Sequence, residues 1–197
     1  MSKIFCIGSN KTGTTSLTHF LISQGLKAGN QNKGELLMDD WNERNFGPIV
    51  DLCQNGDFFQ DVPFSLPYTY VILDHMFPKS KFIFTVRDNA DAWLGSLKRF
   101  NLPWTVEHLK ADTYVYTGWK WQVHQQMFGV DENTFSNDDI YKDHYNNRNN
   151  EIRQYFSHRR NDFLDINLKD QDSSKRICEF LGIAYTGQTM PRVNTTT

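Results

Sequence analysis

The stretch Ile4 to Leu17, IFCIGSNKTGTTSL, constrains the fold more than any other part of the chain. An apolar run from Lys3 to Ile7 stops at Gly8, and from Thr15 onward Leu17, Phe20 and Leu21 recur at helical spacing until Gly25. The pattern predicts a strand, a glycine-bearing loop and a helix. Such a loop presents unpaired backbone N–H groups at the positive end of a helix dipole, which makes it an anion site. Gly8 and Gly13 have the spacing of the GxxxxGK[ST] loop of nucleotide triphosphate enzymes, yet Thr14 follows the second glycine and the only lysine, Lys11, precedes it. Ser9, Asn10, Thr12 and Gly13 form the turn, Thr14, Thr15 and Ser16 add hydroxyl donors, and Lys11 adds a mobile charge. Charge-assisted bonds of this kind contribute roughly 1.5 to 3 kcal/mol each.

The same unit recurs. KFIFTV (Lys81 to Val86) stops at Arg87, and the next segment sets Trp93, Leu94, Leu97 and Phe100 on one helical face with Asp88 or Asn89 as N-cap. A third unit pairs a strand over Phe163 to Leu168 with a helix over Ser173 to Gly182, the glycine acting as C-cap. Asp57 to Gln60 adds a short strand and Tyr68 to Phe77 a helix. Strands alternating with helices predict a three-layer α/β fold, a mostly parallel sheet flanked by helices. Ligands of such sheets bind beyond the carboxyl ends of the strands, where Gly8 and Arg87 both fall.

One domain over residues 1–197 is expected, with an aromatic-rich insertion from Phe100 to Tyr145 that carries a helix over Trp119 to Phe128. Asn146 to Asn150 (NNRNN) reads as the entry to a helix carrying Ile152, Tyr155 and Phe156.

A net charge of −2 gives no global basic field, so neither nucleic acid nor an anionic membrane is an expected partner. No apolar run approaches the roughly 20 residues of a membrane span. Three widely spaced cysteines suggest neither a disulfide framework nor a zinc site, and a reducing, cytoplasmic setting is expected. Nothing in the pattern speaks to oligomeric state.

KTGTTS (Lys11 to Ser16) resembles the 5′-phosphosulfate loop of sulfotransferases, which move sulfuryl groups from 3′-phosphoadenylyl sulfate (PAPS) to hydroxyls or amines. In that family too the lysine precedes the glycine. FTVRDNADAWLGSL (Phe84 to Leu97) is similar to the family's second signature, in which an arginine and a serine hold the 3′-phosphate. The resemblance implies those roles for Arg87 and Ser96, although Gly95 occupies the family's usual serine position. Ser16 stands where an aromatic residue often stacks on adenine. The tail from Tyr155 to Ile183, followed by MPRVN (Met190 to Asn194), is similar to the end of a compact bacterial-type branch. The function implied is in-line sulfuryl transfer from PAPS, leaving the product PAP, to a small-molecule or glycan acceptor.

Lys11 is then the residue that neutralises the leaving phosphate. QDVPFSLP (Gln60 to Pro67) resembles a stretch in which cytosolic sulfotransferases place a histidine base, and here Asp61 stands at that position. Asp61 is read as base or acceptor orienter, the competing role being a turn cap before Pro63. Arg148 is read as an active-site wall residue, whereas His75, His124 and His144 are expected to be structural or exposed and not catalytic. Trp104, Trp119 and Trp121 fit a core better than an acceptor platform. No residue cluster has metal-ligand spacing, so metal-independent chemistry is expected. A P-loop kinase or NTPase would need a lysine directly after Gly13, and that requirement fails. A non-catalytic PAP(S)-binding module stays open.

Overall fold

A computed structural model describes residues 2–191 and 193; Arg192 and Asn194 of the MPRVN tail lie outside the described residues. Along the chain run β1 (Ile4–Cys6), α1 (Thr14–Ser23), α2 (Gln31–Glu35), α3 (Met38–Asn42), α4 (Gly47–Leu52), β2 (Phe58–Gln60), α5 (Thr69–Met76), β3 (Lys81–Val86) and α6 (Ala90–Phe100). They are followed by α7 (Val106–Ala111), α8 (Trp119–Phe128), α9 (Asp138–Tyr155), β4 (Phe163–Asn167) and α10 (Ser173–Leu181). The strands form one parallel sheet in the order β2-β1-β3-β4.

Period-two alternation divides the core between the sheet's two faces. Phe5, Phe59, Phe82 and Phe84 point to one face, where they meet Tyr70 and Leu73 of α5, Trp119 of α8 and Ile152 of α9. Ile4, Cys6, Phe58, Ile83 and Ile166 point to the other, against Leu17, Phe20 and Leu21 of α1 and Ile177 of α10. Each fully buried Phe or Leu contributes roughly 1.5 to 3 kcal/mol of transfer free energy, so both helix layers are fixed by the sheet's own sequence. The expected three-layer α/β architecture is therefore present, with every strand pair parallel.

Connectivity places the site. From β1 the chain passes to β2 on one side, then returns through α5 to β3 on the other side of β1. The gap between the carboxyl ends of β1 and β3 is thus the topological switch point, where open α/β sheets bind ligands.

One expectation needs correction, and one segment carries helices that the sequence does not announce. The segment between α1 and β2 holds α2, α3 and α4, of 5, 5 and 6 residues, too short for a 3.6-residue period to show in the sequence. NNRNN does not begin a helix but lies well inside α9, which starts at Asp138. Its true start carried a signal: Asn137 caps the Asp139 N–H, Asp138 and Asp139 follow at the positive end, and Tyr141, Tyr145, Arg148 and Ile152 form its buried stripe. Trp119 and Trp121 are buried, and Trp104 stacks on Phe135, which supports the core reading of all three.

Just beyond the carboxyl end of β1 the chain runs so close to β3 that a Cβ on Gly8 would lie 2.0 Å from Thr85 Oγ1 and 2.4 Å from the Thr85 carbonyl oxygen. Gly8→Ala is therefore expected to cost on the order of 1 to 3 kcal/mol, read from the urea unfolding midpoint. A midpoint equal to that of the wild type would contradict this packing.

Candidate functional site

The loop between β1 and α1 has its carbonyls captured from several directions. Arg148 Nη2 donates to the Ile7 carbonyl at 2.7 Å, and Thr12 Oγ1 to that of Ser9 at 2.6 Å. Trp93 Nε1 donates to the Asn10 carbonyl at 2.9 Å, and Arg87 Nε to that of Lys11 at 2.7 Å. With these four carbonyls occupied, the donors of the next turn become the loop's prominent feature. The N–H groups of Thr14, Thr15 and Ser16, in the first turn of α1, find no carbonyl among the described residues. Gly13 reaches this turn with φ of 99°, the left-handed region that glycine enters without strain, while Lys11 holds φ of 71° despite its side chain.

The expected loop residues divide into two groups. Ser9 and Thr12 are buried and bonded internally: Ser9 Oγ accepts from Arg148, and Thr12 Oγ1 pairs with Thr85 Oγ1 at 2.6 Å. Asn10 Oδ1 accepts from Ser65 Oγ at 2.6 Å. These residues shape the loop, and Lys11 and the first turn of α1 are what it presents. Ser16 Oγ accepts from the Val193 N–H at 3.3 Å, which ties the C-terminal tail to that turn.

Arg87 links this loop to α6. Its backbone N–H donates to Tyr145 Oη at 2.9 Å, and its Nη2 lies 3.4 Å from Ser96 Oγ. The extra residue between arginine and serine is absorbed because Asn89 caps α6 through the Ala92 N–H, so Ser96 comes round to face Arg87. Gly95, at the usual serine position, meets only Arg99.

Lys11 places its ammonium 3.7 Å from the centroid of the Phe100 ring. Lost hydration pulls its pKa below the usual lysine range; Asp61 opposes that, and the charges of Arg87 and Lys120 add to it. Lys120 escaped notice in the sequence because nothing local marks it: it is buried, paired with Asp112 at 2.9 Å, and lies 4.7 Å from the same Phe100 ring. Three cations within reach of one another make a site that an anion would stabilise. Beside Lys11 and Lys120 lies a cavity of about 50 Å³, walled by aromatic residues including Trp93, Trp119 and Phe128.

Asp61 follows β2 with φ of 59° and accepts a hydrogen bond from Thr14 Oγ1 at 3.2 Å. It keeps some solvent access, yet protein crowds its carboxyl so closely that desolvation raises its pKa, opposed by the Thr14 bond and the Lys11 charge. The structure thus brings Asp61 to the loop. Arg148, 2% exposed, sits behind the loop and braces it through Ile7 and Ser9. Burial pushes His124 down to about 3 and His144 to about 4, so both rings are neutral at ordinary pH. His75 lines a surface groove with Asp74 and Arg159, just before β3 begins. Among the described residues no cluster of three or more His, Cys, Asp or Glu side chains could hold a metal, and no helix is long and apolar enough to cross a membrane.

A family model described as a sulfotransferase domain matches residues 3–197. No curated protein matches the sequence.

The electrostatics of Asp61 make a stability prediction. Its pKa in the folded protein is raised above the ordinary 3.8, so the folded state is favoured below that value and loses the advantage as pH rises through the folded pKa. A carboxyl group at this position is then a burden as pH rises above the ordinary aspartate range. Asp61→Asn should raise the melting temperature at pH 7 by a few degrees, and the gain should fade toward pH 4. A lower melting temperature for the variant at pH 7 would contradict this.

Proposed function

The chain belongs to the sulfotransferase domain family, and from that premise we propose that it moves a sulfuryl group from PAPS to an acceptor hydroxyl or amine by in-line transfer. The observation that carries this reading is the pairing of two candidate anion sites across the switch point: the unpaired N–H groups in the first turn of α1, and Arg87 just after β3 with Ser96 on α6.

These residues fit a nucleotide with two separated anionic groups. The Thr14, Thr15 and Ser16 N–H groups, with Lys11, would hold the 5′-phosphosulfate, and Arg87 with Ser96 the 3′-phosphate. PAPS supplies the activated sulfuryl group. Lys11 provides positive charge where the leaving phosphate oxygen becomes negative. Asp61, whose pKa is raised by lost hydration, takes the proton of the acceptor in its ionised form. A sulfuryl group carries less charge than a terminal phosphoryl group, so the reading requires no metal. The acceptor is a small molecule or glycan, and neither nucleic acid nor membrane takes part. Cys6, Cys53 and Cys178 are all free and buried, in keeping with a reducing, cytoplasmic setting.

Two measurements test the reading. Calorimetry should show PAP binding, and labelled sulfate from PAPS should reach an acceptor in a screen across phenols, alcohols, amines and sugars; PAP binding without transfer to any acceptor would mark a non-catalytic module. Lys11→Ala should lower kcat on the order of 10²-fold, and near-normal turnover would remove the loop from the mechanism. The rate should fall at low pH through a pKa above the ordinary 3.8 of aspartate, because the base must be ionised, and Asp61→Asn should abolish that limb along with most activity.

A further inference from the structure

A second carboxylate reaches the same site. Helix α2 packs closely on the turn after Asp61: a Cβ on Gly34 would lie 3.0 Å from the Val62 carbonyl oxygen, and Gln31 Nε2 donates to that oxygen at 3.2 Å. The contact delivers Glu35, the last residue of α2, to a position 8% exposed. Glu35 Oε1 accepts from Gln31 Nε2 at 3.3 Å and from Tyr114 Oη at 3.4 Å, and the Glu35 carbonyl accepts from Trp119 Nε1 at 3.0 Å. No cation holds its carboxylate among the described residues; desolvation raises its pKa, and the charge of Asp61 adds to the rise. Tyr114 feels Asp61 as well as Glu35, and its ring meets Phe100 edge-on at 6.0 Å, the ring beside the Lys11 ammonium. Phe100 and Tyr114, 43% and 54% exposed, give this cluster an open aromatic rim.

Charge bookkeeping then bears on the acceptor. Lys11 is the cation that offsets Asp61 in the free protein, and in the reading above it turns to the donor's phosphosulfate. Asp61 would then be left without its cation, and Glu35, whose carboxylate accepts only from the neutral Gln31 and Tyr114 side chains among the described residues, has none either. A neutral hydroxyl can satisfy a lone pair on such a group but leaves the charge unbalanced, whereas an ammonium supplies both donors and charge.

We propose that Glu35 is a specificity-determining residue which binds the ammonium group of an amine-bearing acceptor while the acceptor's hydroxyl lies at Asp61. The inference rests on the sulfuryl-transfer reading and adds to it a chemical class of acceptor. Tyr114 is the positioning residue that holds the Glu35 carboxylate toward the rim.

The experiment uses acceptor pairs that differ by an amine, tyramine against 4-ethylphenol and glucosamine against glucose, with PAP calorimetry on the same preparations. In at least one pair the amine member should show a kcat/KM at least about 10-fold higher, mainly through KM. Glu35→Gln should cut that preference to below about 3-fold while PAP affinity stays within about 2-fold of wild type. Tyr114→Phe, at an exposed position, should weaken the preference by a smaller factor, so the inference stays testable even if the Glu35 variant folds poorly. Equal use of both members of each pair, no transfer to either amine by a protein that binds PAP, or a preference that survives Glu35→Gln would overturn the assignment. Failure to bind PAP at all would overturn the donor reading, and the inference with it.

Discussion

Whether a strand-to-helix loop attracts an anion depends on where its carbonyls go. Here four of them, on Ile7, Ser9, Asn10 and Lys11, are taken by donors from Arg148, Thr12, Trp93 and Arg87. Those donors come from α9, the loop itself, α6 and the end of β3, so the packing of three other elements sets the loop's polarity. Two of the four bonds come from guanidinium groups, the stronger class, and each net contribution is of the order of 1 kcal/mol or somewhat more. Their larger effect is geometric. With these four acceptors engaged by the protein, the N–H groups of the first turn of α1 are held in place before any ligand arrives.

That arrangement has an electrostatic cost within the protein. Lys11 is pulled below its ordinary pKa and Asp61 is pushed above its own, each chiefly through lost hydration. A fold optimised for stability alone would have neither group in this place, and sites that perturb both a cation and a carboxylate are often functional. In the sulfuryl transfer proposed above, the pairing would divide the labour: one group would meet developing negative charge and the other would accept a proton. Glu35 extends the pattern to a third poorly hydrated titratable group.

Much of this was legible in the sequence because it rests on local signals. Gly8, Gly13 and Lys11 lie within one short stretch, and Arg87 ends a run of β-forming residues. The sheet followed from alternation, as each buried strand and covering helix carries its own period. Ser96 kept its place opposite Arg87 despite altered spacing because Asn89 fixes where α6 begins, a capping signal visible in advance. What escaped notice depends on contacts distant in sequence. Glu35 sits on a helix of 5 residues and gains meaning only where Gly34 meets Val62. Lys120 looks like a solvated charge until Asp112 and Phe100 enclose it. The inward-facing side chains of Ser9 and Thr12 could not be told from the outward donors beside them, since tertiary packing alone makes that choice.

The central claim is that one nucleotide spans two anion sites on either side of the switch point. A crystal structure of the protein with PAP tests it most directly. The account predicts the 5′-phosphate on the Thr14, Thr15 and Ser16 N–H groups beside Lys11, and the 3′-phosphate between Arg87 and Ser96. A nucleotide bound elsewhere, or one whose 3′-phosphate leaves Arg87 untouched, would contradict it.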